Sequence, residues 1–338
     1  MARTAMHAWP LISRLMVSLF AVSFGHACLA DELGAPPAGA SFLGKVVFFG
    51  NTTNDRHHLI ETMDFDGTGL RTVLELQEIY MVMPGRVSPD GQSLAFIVDP
   101  GPGARPALWV LRADGRHDKL VEDAGVNAGG IAAWSPDGKR IAYNQLNDNA
   151  ERENLIVDVA SRKIERLENT RGDYIEDWSP DGHSLSVINL PGEQSDRPRS
   201  LYLIRPDGVR LGSLTNDPQR DSIWSRFSPS GQQVVYEQRY SRRGKTVLSC
   251  IVANADGSNP REVFCFDDLQ EGLEISPHGP PCWSPDGKTI IWKVLARPPG
   301  SEDLGDSKLL FAAADGTTTR WIPLSSLERR RWGWIDCR

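Results

Sequence analysis

The stretch Trp134-Ser135-Pro136-Asp137-Gly138 recurs along this chain of 338 residues. Ser, Pro, Asp and Gly suit the four positions of a type I turn: proline sets φ at the second position, and the Ser and Asp side chains bond nearby backbone groups. Near copies stand at residues 178–182 and 283–287, and looser copies at 87–91 and 227–231. An apolar strand follows each copy, so the sequence predicts a repeat array rather than one conventional core.

A second turn, Asp-Gly between two apolar runs, also repeats and is a strong signal for a β-hairpin. Its copies stand at residues 66–67, 114–115, 207–208, 256–257 and 315–316, and a version without Gly falls within 155–161. Each repeat therefore has four strands. One enters and one leaves the Ser-Pro-Asp-Gly turn, and one lies on either side of the Asp-Gly turn.

The strand count predicts how the chain ends meet. A sixth entering strand is expected at residues 331–338, where the chain stops before any turn, while the first three strands lack an entering strand. A ring whose first blade combines both ends satisfies this count and leaves only short protected edges, whereas a linear array exposes two edges. The predicted fold class is all-β: a six-bladed β-propeller with its first blade closed by both chain termini.

The repeat resembles that of the TolB-like β-propeller family, with its WD40-like units. The residues that carry the likeness are Asn-Ala-Asp-Gly-Ser-Asn-Pro-Arg at 254–261, and Leu-Thr-Asn-Asp-Pro at 214–218 with Asp221 and Phe227-Ser-Pro after it. The likeness covers residues 45–338 and implies one propeller domain. The chain is expected to lack the α/β domain that precedes the propeller in TolB proteins, because only residues 31–44 stand ahead of it.

The N-terminus is predicted to be a secretory signal peptide over residues 1–30, with an Ala-Gly-Pro-rich leader at 31–44. Arg3 and Arg14 precede or flank an apolar run at 15–24, and small residues lead to Ala30. The run is too short for a membrane span, so the processed chain is expected not to cross a membrane. Lipidation at Cys28 is the alternative. The predicted location is periplasmic or secreted.

Charge and cysteine content narrow the function further. Removing residues 1–30 takes away two Arg and no acid, which shifts the formal net charge from −7 to −9 and argues against a nucleic-acid partner.

Four cysteines remain in the processed chain: Cys250, Cys265, Cys282 and Cys337. An even number of cysteines favours disulfides in an oxidising compartment. Cys250 and Cys265 flank the Asp256-Gly257 turn and could face each other, but three pairings and free thiols all stay open.

Both kinds of turn fall on one face of a propeller, and the longer, variable loops fall on the other. Functional residues usually lie in variable loops on a rigid scaffold, so we expect that face, or the channel mouth beneath it, to bind a partner. Neighbouring basic and acidic loops could steer a charged partner, and aromatic residues could stack on it. The candidate partner-binding residues are Arg239, Arg242, Arg243, Trp224, Tyr240, Asp267, Asp268 and His278. A solvated loop set with no role is the alternative.

Enzyme motifs are missing from the sequence. It has no Gly-x-Ser-x-Gly elbow, no His-Glu-x-x-His and no paired-Cys zinc spacing, so no catalytic, cofactor-binding or metal residue is predicted. The predicted function is an exported, non-catalytic scaffold that binds a protein or peptide in the cell envelope through the variable-loop face or the central channel. The alternative is a lyase-like enzyme acting on acidic oligosaccharides at the channel mouth. The sequence leaves the oligomeric state open.

Overall fold

The computed structural model describes residues 41–51, 56–124, 131–147, 149, 151–170, 172–191, 197–269, 272–301, 306–324 and 334–337. The predicted signal peptide and most of the leader lie outside these residues. The described chain is built from strands, apart from a single 3₁₀ turn at Phe266–Asp268. Within it, no helix is long and apolar enough to cross a membrane.

The strands, in chain order, are β1 (Lys45–Asn51), β2 (His58–Asp64), β3 (Arg71–Leu76), β4 (Met81–Met83), β5 (Ser93–Asp99), β6 (Ala107–Arg112), β7 (His117–Val121), β8 (Ala133–Trp134), β9 (Arg140–Leu146), β10 (Arg152–Asp158), β11 (Ile164–Arg166), β12 (Tyr174–Trp178), β13 (Leu185–Asn189), β14 (Ser200–Ile204), β15 (Arg210–Ser213), β16 (Asp221–Phe227), β17 (Gln233–Arg242), β18 (Lys245–Asn254), β19 (Arg261–Cys265), β20 (Glu274–Pro277), β21 (Cys282–Trp283), β22 (Thr289–Arg297), β23 (Asp306–Ala313), β24 (Thr319–Pro323) and β25 (Trp334–Cys337).

These strands form six antiparallel sheets, which are the six predicted blades. Blade 1 has the order β25-β1-β2-β3, and blades 2 to 5 each take the next four strands in chain order. In blade 6, β20 and β21 share the innermost position beside β22, followed by β23 and β24. The innermost strand of every blade lines the central channel, so the residues of these strands decide what the channel can bind.

Ring closure occurs as predicted, within blade 1. Strand β1 pairs with β2 on one side and with the last strand, β25, on the other, with Val46 opposite Cys337 and Phe49 opposite Trp334. A disulfide between Cys282 of blade 6 and Cys337 of β25 joins blade 6 to blade 1 covalently. The last strand is therefore held to the first strand by a β-ladder and to blade 6 by a covalent bond.

The Ser-Pro-Asp-Gly turn has the predicted conformation. In the Trp134–Gly138 copy, the N–H of Gly138 donates to the carbonyl of Ser135 at 2.9 Å, and the Ser135 hydroxyl donates to Asp137 Oδ1 at 2.6 Å. The same Asp137 oxygen accepts the N–H of Lys139 at 3.1 Å. Gly138 has φ of +70°, a conformation that a residue with a Cβ adopts at a cost. Each turn thus supplies its own hydrogen bonds.

The aromatic residue ahead of each turn packs between blades, as predicted. Trp134, Trp178 and Trp283 are all buried and join apolar clusters shared by neighbouring blades. The indole N–H of Trp134 donates to the carbonyl of Arg86 in the preceding blade at 2.9 Å, and that of Trp283 donates to Arg226 at 3.1 Å. A buried indole N–H needs such a partner, so Trp134 and Trp283 join the blades through both packing and a hydrogen bond. The indole N–H of Trp178 donates to Gly182 in its own turn, so Trp178 joins the blades through packing.

The two remaining cysteines are buried free thiols, so the facing arrangement considered for Cys250 and Cys265 does not occur. Strands β18 and β19 pair with Cys250 opposite Phe264 and with Ser249 opposite Cys265. Adjacent residues of a strand point to opposite faces. A register offset of one residue therefore places the two thiols on different sides of the sheet.

Breaking the Cys282–Cys337 bond is expected to lower the melting temperature, because the bond restricts the unfolded chain and joins the two blades where the ring closes. The bond spans 55 residues, for which the expected loss of stability is about 2–4 kcal/mol. Calorimetry with and without reductant, on the natural chain and on the Cys282→Ala/Cys337→Ala variant, measures it. Reductant should lower the midpoint of the natural chain only; an unchanged midpoint would contradict this role.

Candidate functional site

A cavity of about 360 Å³ lies at the centre of the ring, on the face that carries the Ser-Pro-Asp-Gly turns. Its rim holds the proline of every copy of the turn: Pro89, Pro136, Pro180, Pro229 and Pro285. We call this cavity the funnel. Because proline has a fixed φ and few rotamers, the rim is rigid before any ligand arrives.

Below the proline rim, the funnel wall is apolar and largely aromatic. It is formed by Trp134, Trp178, Phe227 and Trp283 together with the Cys282–Cys337 disulfide. Each of these aromatic rings is also part of an inter-blade core. The wall therefore cannot be altered without disturbing the packing of the blades.

The floor of the funnel is charged and consists of Arg86, Asp177, Arg226 and Asp336. Arg86 lies 3.4 Å from Asp177 and 3.7 Å from Asp336, which are ion-pair distances longer than a hydrogen bond. Asp336 accepts the N–H of Val87 at 2.9 Å, and Asp177 accepts that of Phe227 at 2.8 Å. Each of the two acids thereby accepts a hydrogen bond from the main chain of the next blade and links the two blades.

Glu176, which directly precedes Asp177, lies beside this floor. Its main-chain carbonyl accepts a hydrogen bond from Arg86 and one from Arg226. Its side chain is fully buried and accepts the N–H groups of Trp224 and Ser225 and the hydroxyl of Ser225. Burial raises the pKa of the Glu176 carboxyl to about 6, although these hydrogen bonds oppose the shift. The residue ties blade 4 to blade 5.

The end of the predicted leader lies at the funnel rim. Phe42 is buried, and its N–H donates to the carbonyl of Gly91 in the blade 2 turn at 2.9 Å. Leu43 is 47% exposed and lines the funnel. An exposed leucine beside a rigid apolar opening enlarges the surface that a partner could cover.

The predicted loop residues are distributed over several separate interactions. The structure brings Arg242 and Asp268 together in a bidentate pair, with both N–O distances at 2.7 Å, and the Arg242 guanidinium lowers the pKa of Asp268. Arg239 instead donates to Glu237 at 3.0 Å. Burial raises the pKa of Glu237, whose other oxygen has no hydrogen-bond partner among the described residues.

The predicted aromatic residues are partly buried rather than exposed. The Tyr240 hydroxyl donates to Glu262 at 2.6 Å, and the Arg220 guanidinium stacks 4.3 Å from the ring centre. Trp224 lies within a bulge of β16, has φ of +60° and packs against the apolar cluster between blades 4 and 5. This conformation turns its N–H towards Glu176, which gives the residue a structural role.

Two further predicted residues lie near the Arg242–Asp268 pair, and a third lies elsewhere. Asp267 accepts the N–H of Leu248 at 3.3 Å, and Arg243 is exposed in the turn between β17 and β18. His278 belongs to blade 6, where its N–H donates to the carbonyl of Lys293 at 2.8 Å. Burial lowers the pKa of His278 to about 4, and the charge of Lys293 adds to this effect.

The sequence analysis did not single out the charged floor. Its prediction of a site on the variable-loop face remains a prediction, and the funnel lies at the opposite mouth of the channel. A signal was present: Arg86, Asp177 and Arg226 each lie two residues before the Ser of a turn. A charged residue repeated at one position of an apolar inner strand indicates that the position faces the channel.

Within the described residues, no group of three or more His, Cys, Asp or Glu side chains is arranged to hold a metal ion.

Residues 38–334 match the model of the TolB beta propeller domain family. Among curated proteins, the Tol-Pal system protein TolB of Alcanivorax borkumensis is 28% identical over 110 residues. That stretch is 32% of this chain and only 24% of the length of the relative.

Solved structures share the fold. TolB from Acinetobacter baumannii superposes with a TM-score of 0.65 at 17% identity, over 90% of this chain and 67% of that one. A TolB-like structure from Agrobacterium tumefaciens gives 0.56 at 18% identity, over 83% and 89%. Oligogalacturonate lyase from Vibrio parahaemolyticus gives 0.56 at 12% identity, over 88% and 83%. At such identities the likeness is one of fold alone.

Replacing Lys293 by Met is expected to stabilise the protein at neutral pH. Lys293 is 4% exposed and has no acidic partner among the described residues, and burial lowers its pKa to about 8. Its charged form is thus disfavoured in the folded state, and this cost is present below pH 8 and disappears as the pH rises towards 10.5. Replacing Lys293 should raise the free energy of unfolding by on the order of 1–3 kcal/mol at pH 7.

Denaturant titrations of Lys293→Met at pH 7 and pH 10 measure this effect, with the exposed Lys288→Met on the same blade as the matched control. The gain should shrink at pH 10 and be absent in the control. A variant that is less stable than the natural chain at pH 7 would show that Lys293 has a favourable interaction.

Proposed function

Because the chain belongs to the TolB beta propeller domain family, we propose that it is an exported, non-catalytic scaffold that binds a protein partner in the cell envelope. The funnel is the proposed contact site, and an extended peptide segment of the partner is the part that enters it. The relative named as a Tol-Pal system protein supports a protein partner, since its name places it in a system of proteins.

The rigid funnel is the observation that carries this proposal. Its volume of about 360 Å³ lies within the usual range for small binding pockets. An apolar wall with a few polar groups at its base is typical of sites that bury an apolar segment and orient it. The proline rim and the aromatic wall are already ordered by the fold, so binding requires little reorganisation.

Export is supported by two independent features. The first is the signal pattern at residues 1–30, which lies outside the described residues. The second is the Cys282–Cys337 disulfide, because such bonds persist in oxidising compartments and are rare in the cytosol. A periplasmic or secreted location fits both.

The alternative, a lyase-like enzyme acting on acidic oligosaccharides, has weaker support. The oligogalacturonate lyase structure shares the fold at 12% identity, and a fold hosts many functions. We therefore retain this alternative as an outcome of the tests rather than as a second proposal.

Placing a charge on the funnel rim is expected to weaken partner binding. A type I turn accepts glutamate at its second position, so Pro229→Glu should leave the turn intact. The substitution adds a carboxylate to an apolar rim. A photoactivatable cross-linker at Leu43, on the rim, should capture one partner in the envelope of the producing cells. Pro229→Glu should lower the cross-linked yield roughly tenfold, as expected for the loss of one central contact.

Two controls make this test specific. Pro260→Glu introduces the same change at an exposed proline beside an Asp-Gly turn, away from the funnel lining, and should leave the yield unchanged. A cross-linker at Arg243 probes the variable-loop face. Capture from Arg243 with none from Leu43 would move the binding site to that face and overturn the proposed one.

A further inference from the structure

The same types of side chain recur in the same order around the funnel floor. The residue two positions before the Ser of each turn, or the equivalent residue of the closing strand, lies at the same level of the channel. From blade 1 to blade 6 these residues are Asp336, Arg86, Ala133, Asp177, Arg226 and Cys282. The pattern of acid, arginine and small residue thus occurs twice. In a ring of six, blades three apart face each other, so the two arginines approach from opposite sides.

The two guanidinium groups meet at one atom. Arg86 Nη2 lies 2.5 Å and Arg226 Nη1 lies 3.0 Å from the carbonyl oxygen of Glu176. Two cations held this close repel each other, and the repulsion is stronger away from bulk water. Both side chains are buried, with residue exposures of 8% and 3%. The fold therefore maintains a concentration of positive charge at this point.

The negative groups of the floor do not engage the two arginines equally. Asp177 and Asp336 lie near Arg86, but each has one carboxylate oxygen engaged with a main-chain N–H of the next blade. Within the described residues, the Arg226 guanidinium donates hydrogen bonds to the carbonyls of Glu176 and Pro281 and has no ion pair. The buried Arg86 Nε has no acceptor at all among these residues.

We propose that Arg86 and Arg226 together bind one carboxylate group of the peptide that enters the funnel. This inference rests on the proposed function and specifies its ligand. Guanidinium groups match a carboxylate in a planar, two-point geometry, and such charge-assisted bonds are stronger than neutral ones. The carboxylate belongs either to the C-terminus of the peptide or to an Asp or Glu side chain, and the apolar wall covers the residues around it.

The charge balance of the floor limits what it accepts. Two arginines face three acids here, Asp177, Asp336 and the buried Glu176, so each negative charge that a ligand brings adds to those already present. A carboxylate adds one charge and a dianion such as phosphate adds two, and like charges in a site of low dielectric are costly. We expect the funnel to select a monoanionic group.

Three pools of N-acetylated tripeptides test the proposal. The first pool has no Asp or Glu and ends in a free carboxylate, and the second has no Asp or Glu and ends in an amide. The third ends in an amide but carries one Asp or Glu. Affinity selection on the natural protein, read by mass spectrometry, should retain the first or the third pool at least about tenfold over the second, as expected for losing a hydrogen-bonded charge pair. Which of the two is retained identifies the source of the carboxylate.

The Arg226→Gln and Arg86→Gln variants should abolish this preference, whereas Arg242→Gln, on the other face, should keep it. Melting curves separate a loss of binding from a loss of folding. If a floor variant fails to fold, the comparison of the three pools on the natural protein still decides the question.

Equal retention of all three pools, or retention of none, would overturn the carboxylate site. The proposed function would stand in either case if the cross-linker at Leu43 still captured a partner and Pro229→Glu reduced that capture. Retention of oligogalacturonate tetramers with no tripeptide retained would overturn both the peptide ligand and the scaffold function, and would favour the saccharide alternative.

Discussion

The pairing of the first and last strands is the constraint on which the rest of this structure depends. Strand β25 contributes Asp336 and Cys337 to the funnel, and both positions exist only because β25 pairs with β1. Asp336 accepts the main-chain N–H of Val87, which aligns blade 2, and Cys337 is bonded to blade 6. A failure of closure would therefore remove part of the binding surface and loosen the blades on both sides at once.

The Ser-Pro-Asp-Gly turn has two roles. Its Ser and Asp side chains close the turn by local hydrogen bonds, and its proline points to the rim of the channel. The repetition of the motif brings five prolines to one opening. The motif from which the sequence analysis counts the blades therefore also forms the rim of the funnel, because the turns of a closed ring converge around the axis.

Apolar side chains pack between the blades, whereas charged side chains gather near the axis of the ring. Between the blades, the buried side chains are mostly apolar, and Lys293, which has no acidic partner among the described residues, is a costly exception. At the axis, the charged groups of the floor are held by main-chain partners: Arg226 donates to two carbonyls, and Asp177 accepts an N–H. Main-chain partners do not move away as side chains can, so charged groups are held in place for a ligand.

The sequence by itself determined the ring. Turn chemistry, strand count and the Trp134-type aromatics depend on local pattern and simple counting, and the structure confirmed six blades closed by both ends. Tertiary structure alone decided the disulfide pairing and the composition of the funnel floor. Arg86 and Arg226 are 140 residues apart and meet only because opposite blades face each other across the channel. Local sequence pattern specifies a blade, whereas contacts across the axis depend on how all six blades are arranged.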